Sequence, residues 1–166
     1  MWQASIKYYS EWEQKERENG ETQPKIFYGT PFAAGIDIPF YDPEVEQVTI
    51  KPGQRVMLKT GVYMEMPEHL LGFLDSRSST SKLLLDLLCR TIDCDYRGNI
   101  RLVVTNVGEK DVTVVRGDYL FQMILLPRIQ GILTSVNSVE ELSETVRAAD
   151  GFGSTGNSQV AGGKNE

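Results

Sequence analysis

The sequence has very little of what several classes of enzyme and secreted protein need. It contains one histidine and two cysteines. His69 follows Met-Pro-Glu in a predicted turn and is interpreted as a surface residue, so catalysis based on histidine is excluded. Cys89 and Cys94 form no metal-ligand pattern and no multi-disulfide pattern. Two cysteines without such a pattern are typical of proteins in a reducing cytosol, so a cytoplasmic protein is predicted.

Basic surface and long apolar runs are also scarce. Seventeen Lys and Arg stand against 23 Asp and Glu, which gives a net charge of −6 and a pI near 4.9. Nucleic acids and anionic membranes bind basic surfaces, so neither is an expected partner. No apolar run approaches membrane-spanning length, and the N-terminal stretch MWQASIKYYS lacks the apolar segment of a signal peptide. At 166 residues the chain is long enough for one domain with a core.

What the sequence does contain is a series of short β-strand patterns separated by turns. The stretch from Val48 to Leu74 reads as four strands, broken by Pro-Gly, by Gly61 and by Met-Pro-Glu. Further strands are predicted from Asn99 to Asn106 and from Asp111 to Pro127, the latter broken at Arg-Gly-Asp. Many short strands with few helical stretches predict an all-β barrel or jelly-roll.

Two short helices are predicted in addition. Ser138 and Glu141 fit a capping box that opens a turn or two of helix through Leu142. Ser10 and Glu13 fit another, at the start of a charged stretch over residues of about 10–25. This stretch is interpreted as a polar insertion with Trp12 packed against the barrel, and binding of a protein partner is its alternative role.

The stretch TIDCDYRGNI, from Thr91 to Ile100, concentrates chemically useful side chains. In an extended strand, Asp93 and Asp95 leave the same face. Asp-Tyr-Arg-Gly then reads as the tip of a hairpin, with Gly98 free to take a positive φ. One carboxylate there is a candidate base, with an aromatic ring nearby to pack on a substrate. The alternative interpretation is a solvated acidic turn.

Four more segments change the interpretation of this hairpin. They are FAAGIDIPF from Phe32, LDSRSSTSK from Leu74, VVRGDYLFQMI from Val114 and RAADGFGSTG from Arg147. In order and spacing the five segments resemble the motifs of the trimeric dUTP nucleotidohydrolases (dUTPases). The resemblance implies a β-barrel or jelly-roll fold, a homotrimer whose subunits complete each other's sites, and hydrolysis of dUTP to dUMP and pyrophosphate. It also implies a mobile arm over 147–156, which follows a barrel domain predicted over 1–146. The composition of residues 157–166 predicts a disordered tail.

The resemblance assigns the hairpin to the sugar and the base. Asp93 is implied to be the base that activates water, and Asp95 is the weaker candidate. Tyr96 is implied to lie under the deoxyribose and to exclude a 2′-hydroxyl. The backbone from about Leu88 to Ile92 is implied to pair with the uracil edge.

The remaining motifs are assigned to the phosphates. Arg77, Ser78, Ser79 and Gln122 match phosphate-binding positions. Asp37 is expected near the water ligands of Mg²⁺, since Mg²⁺ prefers phosphate oxygens and retained waters; bracing of a strand end is its alternative role. Arm residues are expected to close over the bound nucleotide, with Phe152 on the uracil and the others at the phosphates: Arg147, Phe152, Gly153, Ser154 and Thr155.

The sequence also departs from the family pattern at several positions. Arg90 replaces a usual glycine and is expected to crowd the hairpin or to reach Asp86. Leu87, Tyr119, Ala148 and Asp150 also stand at variant positions.

A dCTP deaminase of the same fold needs a glutamate where Val103 stands, which disfavours that activity. A weakly active or non-catalytic member that binds a regulatory protein is the remaining alternative.

Overall fold

The structure, a computed structural model, describes residues 4–20 and 25–145, where strands dominate over helices. The strands, in chain order, are β1 (Lys7–Ser10), β2 (Phe27–Tyr28), β3 (Gly35–Pro39), β4 (Gln47–Ile50), β5 (Arg55–Lys59), β6 (Val62–Glu65), β7 (Leu70–Ser76), β8 (Leu85–Leu87), β9 (Thr91–Ile92), β10 (Arg101–Asn106), β11 (Val112–Val115) and β12 (Tyr119–Pro127). The helices are α1 (Glu11–Glu18) and α2 (Ser78–Ser81), and Val139–Glu141 forms a 3₁₀ turn. The predicted all-β class is confirmed.

Glycine and proline end the strands where the sequence predicts. The Pro-Gly turn separates β4 from β5, and Gly53 takes a φ of +74° there. Arg-Gly-Asp separates β11 from β12, with Gly117 at a φ of +96°. Residues with a Cβ rarely adopt this backbone conformation, so these glycines fix the two turns.

Within the described residues the strands form four sheets, of which the largest carries most of the candidate site. Its order is β2-β3-β12-β7-β9, with every neighbouring pair antiparallel. The other sheets are β5-β10-β8, β11-β4 and β1-β6. In the large sheet, Gln122 on β12 lies opposite Asp37 on β3 and opposite Asp75 on β7. Residues far apart in the sequence are thereby aligned in one row.

Alternation along the strands builds the core. On β10, Leu102 and Val104 are fully buried, whereas Arg101, the first residue of the strand, is exposed. Val62 and Met64 of β6 are also buried, so this strand contributes to the core. Each fully buried aliphatic side chain contributes roughly 1.5–3 kcal/mol to folding.

The N-terminal helix forms as the sequence predicts. Ser10 caps α1, and its hydroxyl accepts a hydrogen bond of 3.3 Å from the Glu13 amide. Trp12 packs on the ring of Tyr41, with centroids 5.7 Å apart and planes within 10°. None of the helices in the described residues is long and apolar enough to cross a membrane.

The chain separates into two compact units, Met1–Ile129 and Gln130–Glu166. In the second unit, the predicted capping box is wrong in detail. The Ser138 side chain makes no capping hydrogen bond, and only one 3₁₀ turn follows it. Instead, the amide of Asn137 donates to the Glu141 carboxylate at 3.1 Å.

Candidate functional site

Three neighbouring strands bring the predicted phosphate-binding residues of one chain together. Asp37 lies on β3, Gln122 lies opposite it on β12, and Arg77 directly follows the last residue of β7. Ser78 and Ser79 begin α2 and are exposed. These five residues are called the Arg77 cluster below.

An ion pair forms the centre of the Arg77 cluster. Nε of Arg77 lies 3.2 Å from Oδ1 of Asp37, whose side chain is only 8% exposed. A carboxylate this buried needs a cation or hydrogen-bond donors, and Arg77 supplies them. Asp37 is the ion-pair partner of Arg77, and its expected place near the water ligands of Mg²⁺ stays a prediction.

Arg77 is also tied to the start of β12. Its Nη1 donates to the carbonyl of Tyr119 at 2.9 Å, and its amide donates to the carbonyl of Leu120 at 3.2 Å. The buried hydroxyl of Thr80 donates to the same Leu120 carbonyl. With both sides of its guanidinium held, Arg77 has little freedom to change conformation.

Gln122 is placed by a glycine on the neighbouring strand. Its Nε2 donates to the carbonyl of Ser76 at 3.4 Å. A Cβ added to Gly35 would lie 2.1 Å from Oε1 of Gln122 and 2.9 Å from its Cβ. Only glycine at position 35 therefore leaves room for the observed position of Gln122.

The Asp93 turn, from Asp93 to Asn99, differs from the predicted hairpin tip. Strand β9 ends at Ile92, so Asp93 and Asp95 do not lie on one face of a strand as expected. The amide of Tyr96 donates to the Asp93 carbonyl at 3.1 Å, and Nη1 of Arg97 donates to the Cys94 carbonyl at 2.7 Å. These bonds close a tight turn, which explains why the extended strand stops.

Gly98 does not adopt the positive φ that a glycine allows, and the reason for a glycine there is steric. Gly98 is absent from the set of positive-φ glycines of the described residues. A Cβ at this position would lie 2.4 Å from the hydroxyl oxygen of Tyr96. That hydroxyl donates to the carbonyl of Asn99 at 2.9 Å. Gly98 therefore makes room for the Tyr96 ring.

The side chain of Asp93 is exposed, and its carboxylate has no hydrogen-bond or ion-pair partner among residues 4–20 and 25–145. Tyr96 is 42% exposed. An unpaired carboxylate beside an accessible ring is free to bind water and substrate. The solvated-turn interpretation and the catalytic one both fit this geometry, so the assignment of Asp93 as the base stays a prediction.

Within one chain, Asp93 and Arg77 lie at opposite ends of β7. Gly72 pairs with Ile92 in the antiparallel β7–β9 ladder, so Asp93 falls beside Leu71, six positions before Arg77. At about 3.3 Å per strand residue, the two positions are about 20 Å apart. A single chain therefore does not bring the predicted base to its own Arg77 cluster.

Arg90 reaches two carboxylates. Its Nη1 lies 2.8 Å from Oδ1 of Asp75, and its Nη2 lies 3.5 Å from Oδ1 of Asp86. Its Nε donates to the carbonyl of Leu87 at 3.0 Å. The contact with Asp86 was predicted, but the shorter one with Asp75 was not, because it depends on how β7 and β8 meet in space.

Tyr119 has a supporting role that the sequence did not predict. Its hydroxyl donates to the Lys25 carbonyl at 2.9 Å, and Phe27 packs edge-on against its ring at 5.3 Å. Burial, followed by the nearby Asp37 carboxylate, raises the pKa of Tyr119. Tyr119 therefore stays neutral and acts through packing and hydrogen bonding.

A magnesium ion has no protein cage in the described part of the chain, where no three His, Cys, Asp or Glu side chains group together. Oδ1 of Asp37 pairs with Arg77, and the expected contact of Asp37 with Mg²⁺ through water stays a prediction. The predicted arm residues lie outside the described residues: Arg147, Phe152, Gly153, Ser154 and Thr155.

Comparison with known proteins assigns the chain to a family. Residues 22–156 match the family model described as dUTPase. A deoxyuridine 5'-triphosphate nucleotidohydrolase of Rhizobium johnstonii is 35% identical over 142 residues, covering 83% of this chain and 88% of that protein. The protein of that name from Escherichia phage T5 is 35% identical, covering 82% of this chain and 93% of the relative. The chain belongs to the dUTPase family, which confirms the resemblance of its motifs.

Solved structures show the same fold. The dUTPase of Staphylococcus bacteriophage 80alpha with dUPNHPP superposes with a TM-score of 0.73 at 21% identity, covering 92% of this chain and 98% of that one. A dUTPase mutant of phage phi11 of S. aureus, described with a structural Mg(II) ion, gives a TM-score of 0.66 at 21% identity, covering 82% and 99%. The predicted dUTPase-like jelly-roll is thereby confirmed.

Proposed function

We propose that this protein hydrolyses dUTP to dUMP and pyrophosphate, which keeps uracil out of DNA and supplies dUMP for dTMP synthesis. The observation that carries the proposal is the carboxylate of Asp93 beside Tyr96, exposed and without a partner among the residues that the structure describes, in a chain of the dUTPase family. The relatives named above are called deoxyuridine 5'-triphosphate nucleotidohydrolases, and that name describes this reaction.

In the proposed mechanism, Asp93 orients a water molecule and takes its proton as the water attacks the α-phosphorus. Water is a poor nucleophile at neutral pH, so a carboxylate within hydrogen-bond reach accelerates this step. Tyr96 packs against the deoxyribose and leaves no space for a 2′-hydroxyl. The bond between the α-phosphorus and the oxygen that bridges it to the β-phosphorus breaks, which gives dUMP and pyrophosphate. Asp93 then releases the proton to solvent before the next turnover.

Uracil recognition is proposed to centre on Cys89. The amide of Leu88 already donates to Val103, and the carbonyl of Arg90 already accepts from Leu74. In the described residues, the backbone N–H and C=O of Cys89 have no such partners. A site built to pair with uracil leaves buried groups unpaired when cytosine enters, which disfavours dCTP.

The Arg77 cluster is proposed to bind the phosphates. The guanidinium of Arg77, the exposed hydroxyls of Ser78 and Ser79, and the amide of Gln122 provide donors for phosphate oxygens. Mg²⁺ bound to the triphosphate with its waters would neutralise phosphate charge, with Asp37 nearby only through water. Arg147 and the segment from Phe152 to Thr155 are proposed to complete this half of the site.

The active assembly is proposed to be a homotrimer in which one subunit supplies Asp93 and a neighbour supplies Arg77. The support is the distance of about 20 Å between these positions within one chain, which is too long for both to act at one α-phosphate. The half-buried apolar side chains of Val103 and Ile124 on β10 and β12 offer surface for such an interface.

Two other functions are less well supported. Val103 pairs with Met57 in the β10–β5 ladder and has no group that transfers protons, which disfavours dCTP deamination. A regulatory partner remains a second candidate, because the phage 80alpha dUTPase is described as controlling transfer of virulence genes. The polar helix α1 is the surface proposed for such a partner.

The direct test is pyrophosphate release measured in parallel with dUTP, dCTP, dTTP and UTP, with and without Mg²⁺. The proposal predicts rapid Mg²⁺-dependent release from dUTP alone. Equal rates with dUTP and UTP would contradict the role of Tyr96. No release from dUTP would leave nucleotide binding or a protein partner as the function.

A further inference from the structure

The helix α1 is joined to the Arg77 cluster by a continuous set of contacts. Trp12 stacks on Tyr119 with centroids 6.4 Å apart and planes 30° apart. The backbone carbonyl of Tyr119 in turn accepts the 2.9 Å hydrogen bond from Nη1 of Arg77. One aromatic pair therefore separates the polar N-terminal insertion from the proposed phosphate-binding guanidinium.

The start of β12 pairs irregularly with the two neighbouring strands. The β3–β12 register shifts between Tyr119 and Phe121, which leaves Leu120 in an irregular position. On the other side, the β7 ladder begins only at Phe121, opposite Ser76. A bulge of this kind loosens regular pairing and redirects the chain. Arg77 nevertheless depends on the carbonyls of Tyr119 and Leu120.

The aromatic ring of Trp12 is itself held on several sides. Its Nε1 donates to Glu16 at 3.1 Å, and Nζ of Lys25 lies 4.8 Å from the ring centroid. A Cβ at Gly117 would lie 3.0 Å from the indole. A cation over the ring and a stacked aromatic neighbour each stabilise a fixed ring position.

The helix that carries Trp12 is fixed to the rest of the fold at its first turn. The amide of Glu11 donates to the carbonyl of Gly61 at 2.9 Å. The buried carboxylate of Glu13 accepts hydrogen bonds from the Lys25 amide at 2.7 Å and the Tyr8 hydroxyl at 3.1 Å. These contacts give α1 the rigidity needed to hold another element in place.

From these contacts we infer that Trp12 is a positioning residue for phosphate binding, which acts through Tyr119 to hold Arg77 in place. The inference rests on the proposed function. It gives the N-terminal insertion a role inside the enzyme and explains how Tyr119 supports the site. Trp12 itself touches no substrate.

The test measures binding of the phosphate half and of the nucleoside half of the nucleotide separately. Inorganic tripolyphosphate probes the Arg77 cluster, and deoxyuridine probes the Asp93 turn, each as an inhibitor of dUTP hydrolysis by the intact protein. In Trp12→Ala, the inhibition constant of tripolyphosphate is expected to rise about tenfold, as when one charge-assisted hydrogen bond is weakened. The constant for deoxyuridine is expected to stay within about twofold, and KM for dUTP is expected to rise more than kcat falls.

Matched variants separate positioning from general loosening. Trp12→Phe keeps a ring on Tyr119 and is expected to restore most of the tripolyphosphate affinity. Tyr63→Phe removes the 2.7 Å hydrogen bond from the Tyr63 hydroxyl to Glu11, on the same helix but away from Tyr119. This variant is expected to bind both inhibitors normally. If Trp12→Ala does not fold, Trp12→Leu is measured in its place.

Two results would overturn the inference. In one, both inhibition constants rise together in the Trp12 variants; in the other, neither changes. The wild-type protein is measured first, because failure of wild type to hydrolyse dUTP counts against the proposed function instead.

Discussion

The Arg77 cluster and the Asp93 turn use polar side chains in opposite ways. In the Arg77 cluster, the charged groups are paired, partly buried and tied to backbone carbonyls of β12. In the Asp93 turn, the backbone is tightly closed by Tyr96 and Arg97, but the Asp93 carboxylate is exposed and unpartnered within the described residues. The cluster therefore combines binding with structural support, whereas the turn leaves one group free for chemistry.

The largest expected effect comes from Asp93→Asn. This change keeps the shape of the side chain and removes the proton acceptor, so turnover of dUTP should fall roughly 10²–10⁴-fold. Because the side chain is exposed and unpaired, the free energy of unfolding should change by less than about 0.5 kcal/mol. Pyrophosphate release and thermal unfolding measure the two quantities. Near-native turnover would remove Asp93 from the mechanism.

A smaller loss of activity but a larger loss of stability is expected from Arg77→Met. Loss of its charge-assisted bonds should lower kcat/KM for dUTP roughly 10–100-fold. The buried Asp37 is left without its cation, which should cost roughly 1–3 kcal/mol of folding stability. The double variant Asp37→Asn with Arg77→Met should regain stability without regaining activity. Recovery of both would mean that Arg77 only supports the fold.

Gly35→Ala should have an intermediate effect through Gln122. The new Cβ would meet the Gln122 amide and displace it from the Arg77 cluster. We expect KM for dUTP to rise severalfold and the free energy of unfolding to fall by about 1–3 kcal/mol. If Gln122 mediates the change in KM, Gly35→Ala should raise KM little further in a Gln122→Ala background. Fully additive effects would argue against this coupling.

The smallest effect is expected at an ion pair outside both regions. Nζ of Lys59 lies 3.1 Å from Oδ2 of Asp42. Burial alone would raise the pKa of Asp42, but the Glu44 amide and Lys59 outweigh it and lower the pKa. A lowered pKa stabilises the fold above the ordinary carboxyl range, and this contribution is lost as the pH falls through the folded pKa.

Asp42→Asn should therefore cost up to about 1 kcal/mol at pH 7 and leave dUTP turnover unchanged. Thermal unfolding of variant and wild type should converge as the pH falls below the ordinary carboxyl range. A difference that persists in acid would show that the ionised carboxylate is not what stabilises this part of the fold.

Local sequence signals predicted most of the fold. Alternating apolar residues marked the strands, and Pro-Gly at β4–β5 and Arg-Gly-Asp at β11–β12 marked their ends. Resemblance supplied the assignments of Asp93 and Arg77. The strand through Asp93 and Asp95 was predicted wrongly, because Arg97 and Tyr96 close a turn that alternation does not reveal.

Long-range pairing determined what the sequence did not predict. The short contact between Arg90 and Asp75 requires β7 and the β8–β9 connection to meet in space. The distance between Asp93 and Arg77 follows from the β7–β9 register. This register places Asp93 beside the start of β7, whereas Arg77 follows the end of β7. Neither relation has a local signature, since both depend on segments joined only by the folded sheet.

The central claim, that each site combines Asp93 of one subunit with Arg77 of another, is tested most directly by mixing two variants that each have impaired turnover. Asp93→Asn and Arg77→Met are unfolded together, refolded at equal concentration and assayed with dUTP, with mass spectrometry to confirm mixed trimers. With random assortment, about three quarters of the trimers are mixed, and each mixed trimer has one intact site out of three. About a quarter of wild-type activity should therefore return. Activity no greater than that of the separately refolded variants, with mixed trimers present, would contradict the claim.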